Sequence, residues 1–107
     1  MIQEFQIQNF FSIRERQTLS FLPTNDDKMR SQYLYEVAEG VELLKIGIVY
    51  GSNASGKTTL LDALAFFRRT MLDKPENKNT GMGYVPFLLD NHSRKEHSSM
   101  QMTFWLN

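Results

Sequence analysis

Gly51, Gly56, Lys57 and Thr58 stand in the spacing Gly-x4-Gly-Lys-Thr, between an apolar run and a segment of helical periodicity. This arrangement most limits what the chain can fold into, because the phosphate-loop pattern requires a strand before it and a helix after it. The run Leu43 to Tyr50 is mostly apolar and suits a strand buried on both faces of a parallel or mixed sheet. Beyond the loop, Leu60, Leu64, Phe67 and Met71 recur at helical spacing, which predicts a helix from Lys57 to about Leu72. Asp73-Lys74-Pro75 ends it, since proline cannot continue a helix. With glycine near ~7% of residues, the four fixed positions coincide by accident in under roughly 1% of chains this long. A glycine-rich turn beside a surface lysine is therefore the weaker reading.

The pattern has a chemical logic. Glycines allow positive φ and close approach of the backbone to phosphate oxygens. The loop's N–H groups then cradle an anion, and the helix that begins at the lysine adds its positive dipole end. The Lys57 ammonium reaches the β- and γ-phosphates of a nucleoside triphosphate, and the Thr58 hydroxyl suits Mg²⁺, an oxygen-seeking ion. Lys57 is the expected catalytic group.

The remaining chain supplies strands and loops. Phe5 and Ile7 share one face of a strand from Ile2 to Asn9, with Ile2 out of phase. Ile13, Leu19 and Phe21 form one face of a second strand, antiparallel to the first around the Phe10-Phe11-Ser12 corner. Pro23 to Ser31 is loop, Tyr33 to Val41 is ambiguous with a short strand closing at Gly40, and Pro86 to Leu89 is a short extended piece. Met100, Met102, Phe104 and Leu106 alternate as the core face of a last strand. The expected fold is an α/β lobe: a mixed sheet of about five strands, with an N-terminal antiparallel pair and the phosphate-loop helix packed on it.

Composition closes off other chemistries. The chain has 107 residues and no cysteine, which excludes disulfides, thiolate metal sites and cysteine catalysis. Twelve basic residues balance twelve acidic ones, so net charge does not point to a polyanion partner. No stretch approaches the ~20 apolar residues of a membrane span, and the N-terminus lacks the pattern of a signal peptide. A soluble, cytoplasmic chain is expected. His92 and His97 lack the further ligands that a metal site needs. Arg68-Arg69 and Arg94-Lys95 read as solvated cations, and Asp62 as a surface or neighbouring group rather than a base.

Two stretches together resemble a known family. They are Ile7-Gln8-Asn9-Phe10-Phe11-Ser12 with Leu19-Ser20-Phe21, and Ile48 through Gly51-Ser52-Asn53-Ala54-Ser55-Gly56-Lys57-Thr58-Thr59 to Leu64. They are similar to the start of AAA-type ATPases related to ABC and SMC/RecF heads, a group that includes OLD-like, abortive-infection and phage-defence ATPases. The resemblance implies ATP and Mg²⁺ as cofactors, with backbone contacts to phosphate from Ser52 to Thr59. It also implies Asn53 near the γ-phosphate, Lys57 on the β/γ-phosphates, Thr58 on Mg²⁺ and Thr59 at the α-phosphate. The resemblance further implies an incomplete ABC-ATPase-like head, the N-terminal lobe of a longer chain. No Asp-Glu-ended Walker B strand, signature segment or Q-loop glutamine is found beside the phosphate loop (Walker A). The expected partners are ATP, the remainder of the ATPase domain, a second head in a homodimer, and a DNA or effector nuclease. Hydrolysis is expected only in the complete head dimer. The alternative is a nucleotide-gated interaction module without significant hydrolysis.

Overall fold

The computed structural model describes residues 1–26, 28–51, 56–74 and 86–106. Strand β1 (Ile2–Gln8) lies at the centre of a three-stranded antiparallel sheet, between β2 (Gln17–Ser20) and β5 (Ser99–Phe104). The alternation in β1 sets this up. Phe5 and Ile7 are fully buried on one face, whereas Ile2, out of phase, is exposed. Phe5 stands opposite Leu19 on β2 and Met102 on β5, so three apolar residues share one rung of the core face.

Helix α2 (Lys57–Leu72) covers that face. Ala63 is its one buried residue, and Leu60, Leu64, Phe66 and Phe67 pack around it against Phe5, Ile7, Phe10 and Ile13. The small Ala63 side chain lets helix and sheet approach closely, and the aromatics close the edges. Phe67 meets Phe5 edge-on at 5.7 Å, and Phe66 lies 5.6 Å from Phe10. The helix ends as expected: Asp73 is extended, and its N–H donates to Arg69 O.

A second, two-stranded sheet is a hairpin of β3 (Leu34–Ala38) and β4 (Val41–Leu44), preceded by the single turn α1 (Arg30–Tyr33). Gly40 takes φ +73° in its tight turn, a conformation that glycine adopts without strain. Arg30 pairs with Glu42 across this unit. The hairpin is tied to the main sheet's flank by Leu44 N–H donating to Phe21 O at 2.8 Å.

Four expectations are corrected here. The strand expected over Leu43 to Tyr50 extends only to Leu44. Ile48 and Tyr50 are 81% and 90% exposed, since no described strand pairs with residues 46–50 to bury either face. The expected single mixed sheet is two sheets, and every pairing among the described strands is antiparallel. On β5, Met100 and Met102 pack on the core, but Phe104 lines an open apolar cavity beside Leu64, Phe67 and Met71 of α2 and stays 55% exposed, and Leu106, past the end of the strand, is exposed. Pro86 to Leu89 forms no strand. Among the described residues no helix is long and apolar enough to cross a membrane.

Candidate functional site

Helix α2 begins directly at the lysine of the glycine-lysine-threonine motif. Gly56 caps it with φ +86°, a left-handed conformation that a side chain would strain. A Cβ there would meet Ser12 Oγ at 3.8 Å and Ile13 Cγ1 at 4.0 Å, ordinary contact distances, so the backbone angle and not space requires glycine. The first intrahelical bond closes from Leu60 N–H to Gly56 O at 3.0 Å. The N–H groups of Lys57, Thr58 and Thr59 precede it and have no helical acceptor. The capping glycine has no side chain to offer them and no acid occupies the first turn, so among the described residues no capping group or first-turn carboxylate offsets the positive end of the helix dipole.

Lys57 bends back along the loop. Its Nζ donates to Gly51 O at 2.7 Å, bringing the ammonium to the loop's other end. Thr58 is exposed. Thr59 Oγ1 shares a 2.7 Å hydrogen bond with Ser12 Oγ, from the corner between β1 and β2. Ser52, Asn53, Ala54 and Ser55, expected to carry the cradle of amides, lie outside the described residues.

Beside the loop is a cavity of about 530 Å³. One wall is the corner Ser12 to Arg14 with the start of β2; the other is Val49, Tyr50, Gly56 and Lys57. Among the described residues two cations, Lys57 and Arg14, line it, and no carboxylate does. Ile13, Leu19 and Leu60 give it apolar surface. The space can hold a ligand that is anionic at one end and flat or apolar at the other.

Ser12 and Arg14 were not singled out from sequence. The signal that could have found them is the Phe10-Phe11-Ser12 corner, which must turn tightly between two paired strands. Asn9 and Phe11 both take positive φ there, 53° and 46°, and swing Ser12 against the helix start.

The other sequence candidates lie apart from this site. Asp62 is exposed on α2. His92 pairs with Glu96 at 2.7 Å on the surface. Among the described residues no group of His, Cys, Asp or Glu could hold a metal ion. Trp105 donates its indole N–H to Gln3 Oε1 at 2.7 Å and so serves the sheet edge.

Asp90 bears on the cavity through Arg14, 3.3 Å away. Its carboxyl is held below the ordinary aspartate value, chiefly by the His92 N–H, then by the Ser93 hydroxyl, with Arg14 adding attraction. A depressed carboxylate stabilises the fold above its unfolded pKa, and the effect fades as pH falls through the folded value. An NMR titration of the Asp90 carboxyl is expected to show a midpoint below that of a free aspartate, and Ser93→Ala should raise it. An ordinary midpoint in both proteins would contradict this local picture.

A family model described as "AAA domain, putative AbiEii toxin, Type IV TA system" matches residues 47–105, more than half of the 107-residue chain. The matched stretch holds the glycine-lysine-threonine motif, α2 and β5. No curated protein and no solved structure matches the chain.

Proposed function

The chain belongs to this AAA-domain family, and from that premise we propose that it binds ATP with Mg²⁺ at the loop from Gly51 to Thr59. The observation that carries the reading is Lys57, drawn across the loop to Gly51 beside a cavity whose described lining holds two cations and no carboxylate. A bound triphosphate would exchange the Gly51 carbonyl for phosphate oxygens as the partner of Lys57 Nζ, a stronger, charge-assisted bond. The amides at the start of α2 would face the same phosphates. The apolar wall of Ile13, Leu19 and Leu60, with the exposed ring of Tyr50, would take the nucleoside.

Thr58 fits the metal role by chemistry: an exposed hydroxyl oxygen one residue past the lysine, of the donor type that Mg²⁺ accepts. When bound, the ion would neutralise charge on the phosphates, and Thr58 would orient it. Thr59 would approach the α-phosphate from its place beside Ser12, and Ser52 to Ser55 would supply the amide cradle. We place the chain with the ABC/SMC/RecF-like and OLD-like ATPases, acting in phage defence through an effector or on DNA. The exposed apolar segment 46–50 would then receive the remainder of an ATPase domain, and two such heads would pair for hydrolysis. The lack of a carboxylate among the cavity's described lining residues favours a second reading, a nucleotide-gated module that binds without hydrolysing.

Equilibrium titration with and without Mg²⁺ tests the assignment. Thr58→Ala is expected to weaken Mg·ATP binding about tenfold, equivalent to about 1.4 kcal/mol, and to leave metal-free ATP binding nearly unchanged. Thr58→Ser should bind as wild type does. An equal loss with and without Mg²⁺ would remove Thr58 from the metal.

A further inference from the structure

Asn9 is polar, 2% exposed and distant in sequence from nearly everything it bonds. Its Nδ2 donates to Ser93 O at 2.8 Å and to Glu96 O at 3.1 Å. Its Oδ1 accepts from Phe87 N–H at 2.9 Å. Its backbone N–H donates to Arg14 O at 3.1 Å, and its carbonyl accepts from the Ser98 hydroxyl. Every polar atom of the residue is used, and its φ of 53° is one that asparagine tolerates better than most side chains. This one side chain clamps the segment 87–98 to the corner 9–14. The Arg14–Asp90 ion pair is a second clasp between the same two pieces.

The clamped corner bears on the candidate site. Ser12 projects from it to share the 2.7 Å bond with Thr59, in the first turn of α2. Phe10, in the same corner, packs on Phe66 two turns along that helix. The order is therefore Asn9, the corner, Ser12, Thr59 and the amides at the helix start.

We propose that Asn9 is a positioning residue for the candidate phosphate site, fixing the corner so that Ser12 holds the first turn of α2 in register with the cavity. The proposal rests on the nucleotide-binding reading and adds to it a residue that touches no ligand. A merely structural asparagine would lower stability and leave affinity alone. A positioning asparagine acts through Ser12, so its effect on affinity should vanish once Ser12 can no longer hold Thr59.

The test is a double-mutant cycle on the full 107-residue chain, with ATP affinity and thermal midpoint measured for each protein. Asn9→Gly removes the side chain without straining the left-handed backbone, and Ser12→Ala removes the hydroxyl. Each is expected to weaken ATP binding about tenfold, and the double variant to bind no worse than either alone, the signature of residues acting in series. Asn9→Gly should lower the thermal midpoint equally in both backgrounds, and Ser12→Thr should restore affinity. If Asn9→Gly fails to fold, Asn9→Asp keeps the left-handed fit and the acceptor for Phe87 N–H while removing the donors to Ser93 and Glu96. A ligand-free readout runs alongside: amide exchange at Leu60 N–H should quicken in the Asn9 variant. Unchanged affinity and exchange in a folded Asn9 variant, with wild type binding ATP, would overturn the proposal alone, as would additive affinity losses. Failure of the wild-type chain to bind ATP would instead overturn the nucleotide reading, and the positioning claim with it.

Discussion

Lys57→Ala is expected to cost about 100-fold or more in ATP affinity, the equivalent of about 3 kcal/mol for a charge-assisted contact, while the fold stays intact. The lysine has no part in the core: among the described residues its Nζ bonds the Gly51 carbonyl, and the residues that α2 buries against the sheet lie further along the helix. Truncation removes the ammonium that the phosphates would meet and leaves the helix start, the capping glycine and the cavity walls in place. Calorimetric titration with ATP, read beside the thermal midpoint and circular dichroism of both proteins, checks it. Equal affinity in wild type and variant would remove this loop from the binding account.

Phe5→Ala is expected to destabilise the chain by about 3–5 kcal/mol, which for a domain of ordinary marginal stability is enough to unfold much of it. Phe5 lies at the centre of the middle strand, fully buried, with Leu19 and Met102 on either side and the Phe67 ring edge-on above it. Alanine leaves a cavity that β2, β5 and α2 must all move to fill. Val49→Ala, on the exposed segment before the loop, should cost far less, because its surroundings are partly solvent. Urea unfolding of the three proteins measures the difference, and a Phe5→Ala loss below about 1 kcal/mol would mean that the core is centred elsewhere.

These two positions were legible in the sequence because their signals are local. The spacing of Leu60, Leu64 and Phe67 gives α2 its buried stripe, and the helix runs from Lys57 to Leu72 as the periodicity predicts. Phe5 and Ile7 alternate on β1, and the antiparallel β1–β2 pair follows from the corner between them. The segment Leu43 to Tyr50 was misread for a physical reason. An apolar run marks a two-faced buried strand only where neighbours exist on both faces, and the described strands provide none beyond Leu44. Alternation alone puts Phe104 in the core, but it carries no information on how tightly the helix closes on the strand's end: the ring lines an open cavity with Leu64, Phe67 and Met71 and stays exposed. The parts of the site that sequence could not show are those assembled across long separations. Ser12 meets Thr59 across 47 residues, and Asn9 reaches Phe87 and Glu96 across 78 and 87. No periodicity records such pairs.

The central claim, that the start of α2 and the loop before it form a nucleotide site, is tested most directly by following backbone amide resonances while Mg·ATP is added to the 107-residue chain. The account predicts saturable shifts at Gly51, Gly56, Lys57, Thr58 and Thr59, with smaller ones at Ser12 and Arg14 on the facing wall. Tripolyphosphate should reproduce the loop shifts and leave Leu19 and Leu60 nearly unmoved, since it lacks the nucleoside. No saturable shift at these amides, or shifts confined to surfaces away from the loop, would contradict it.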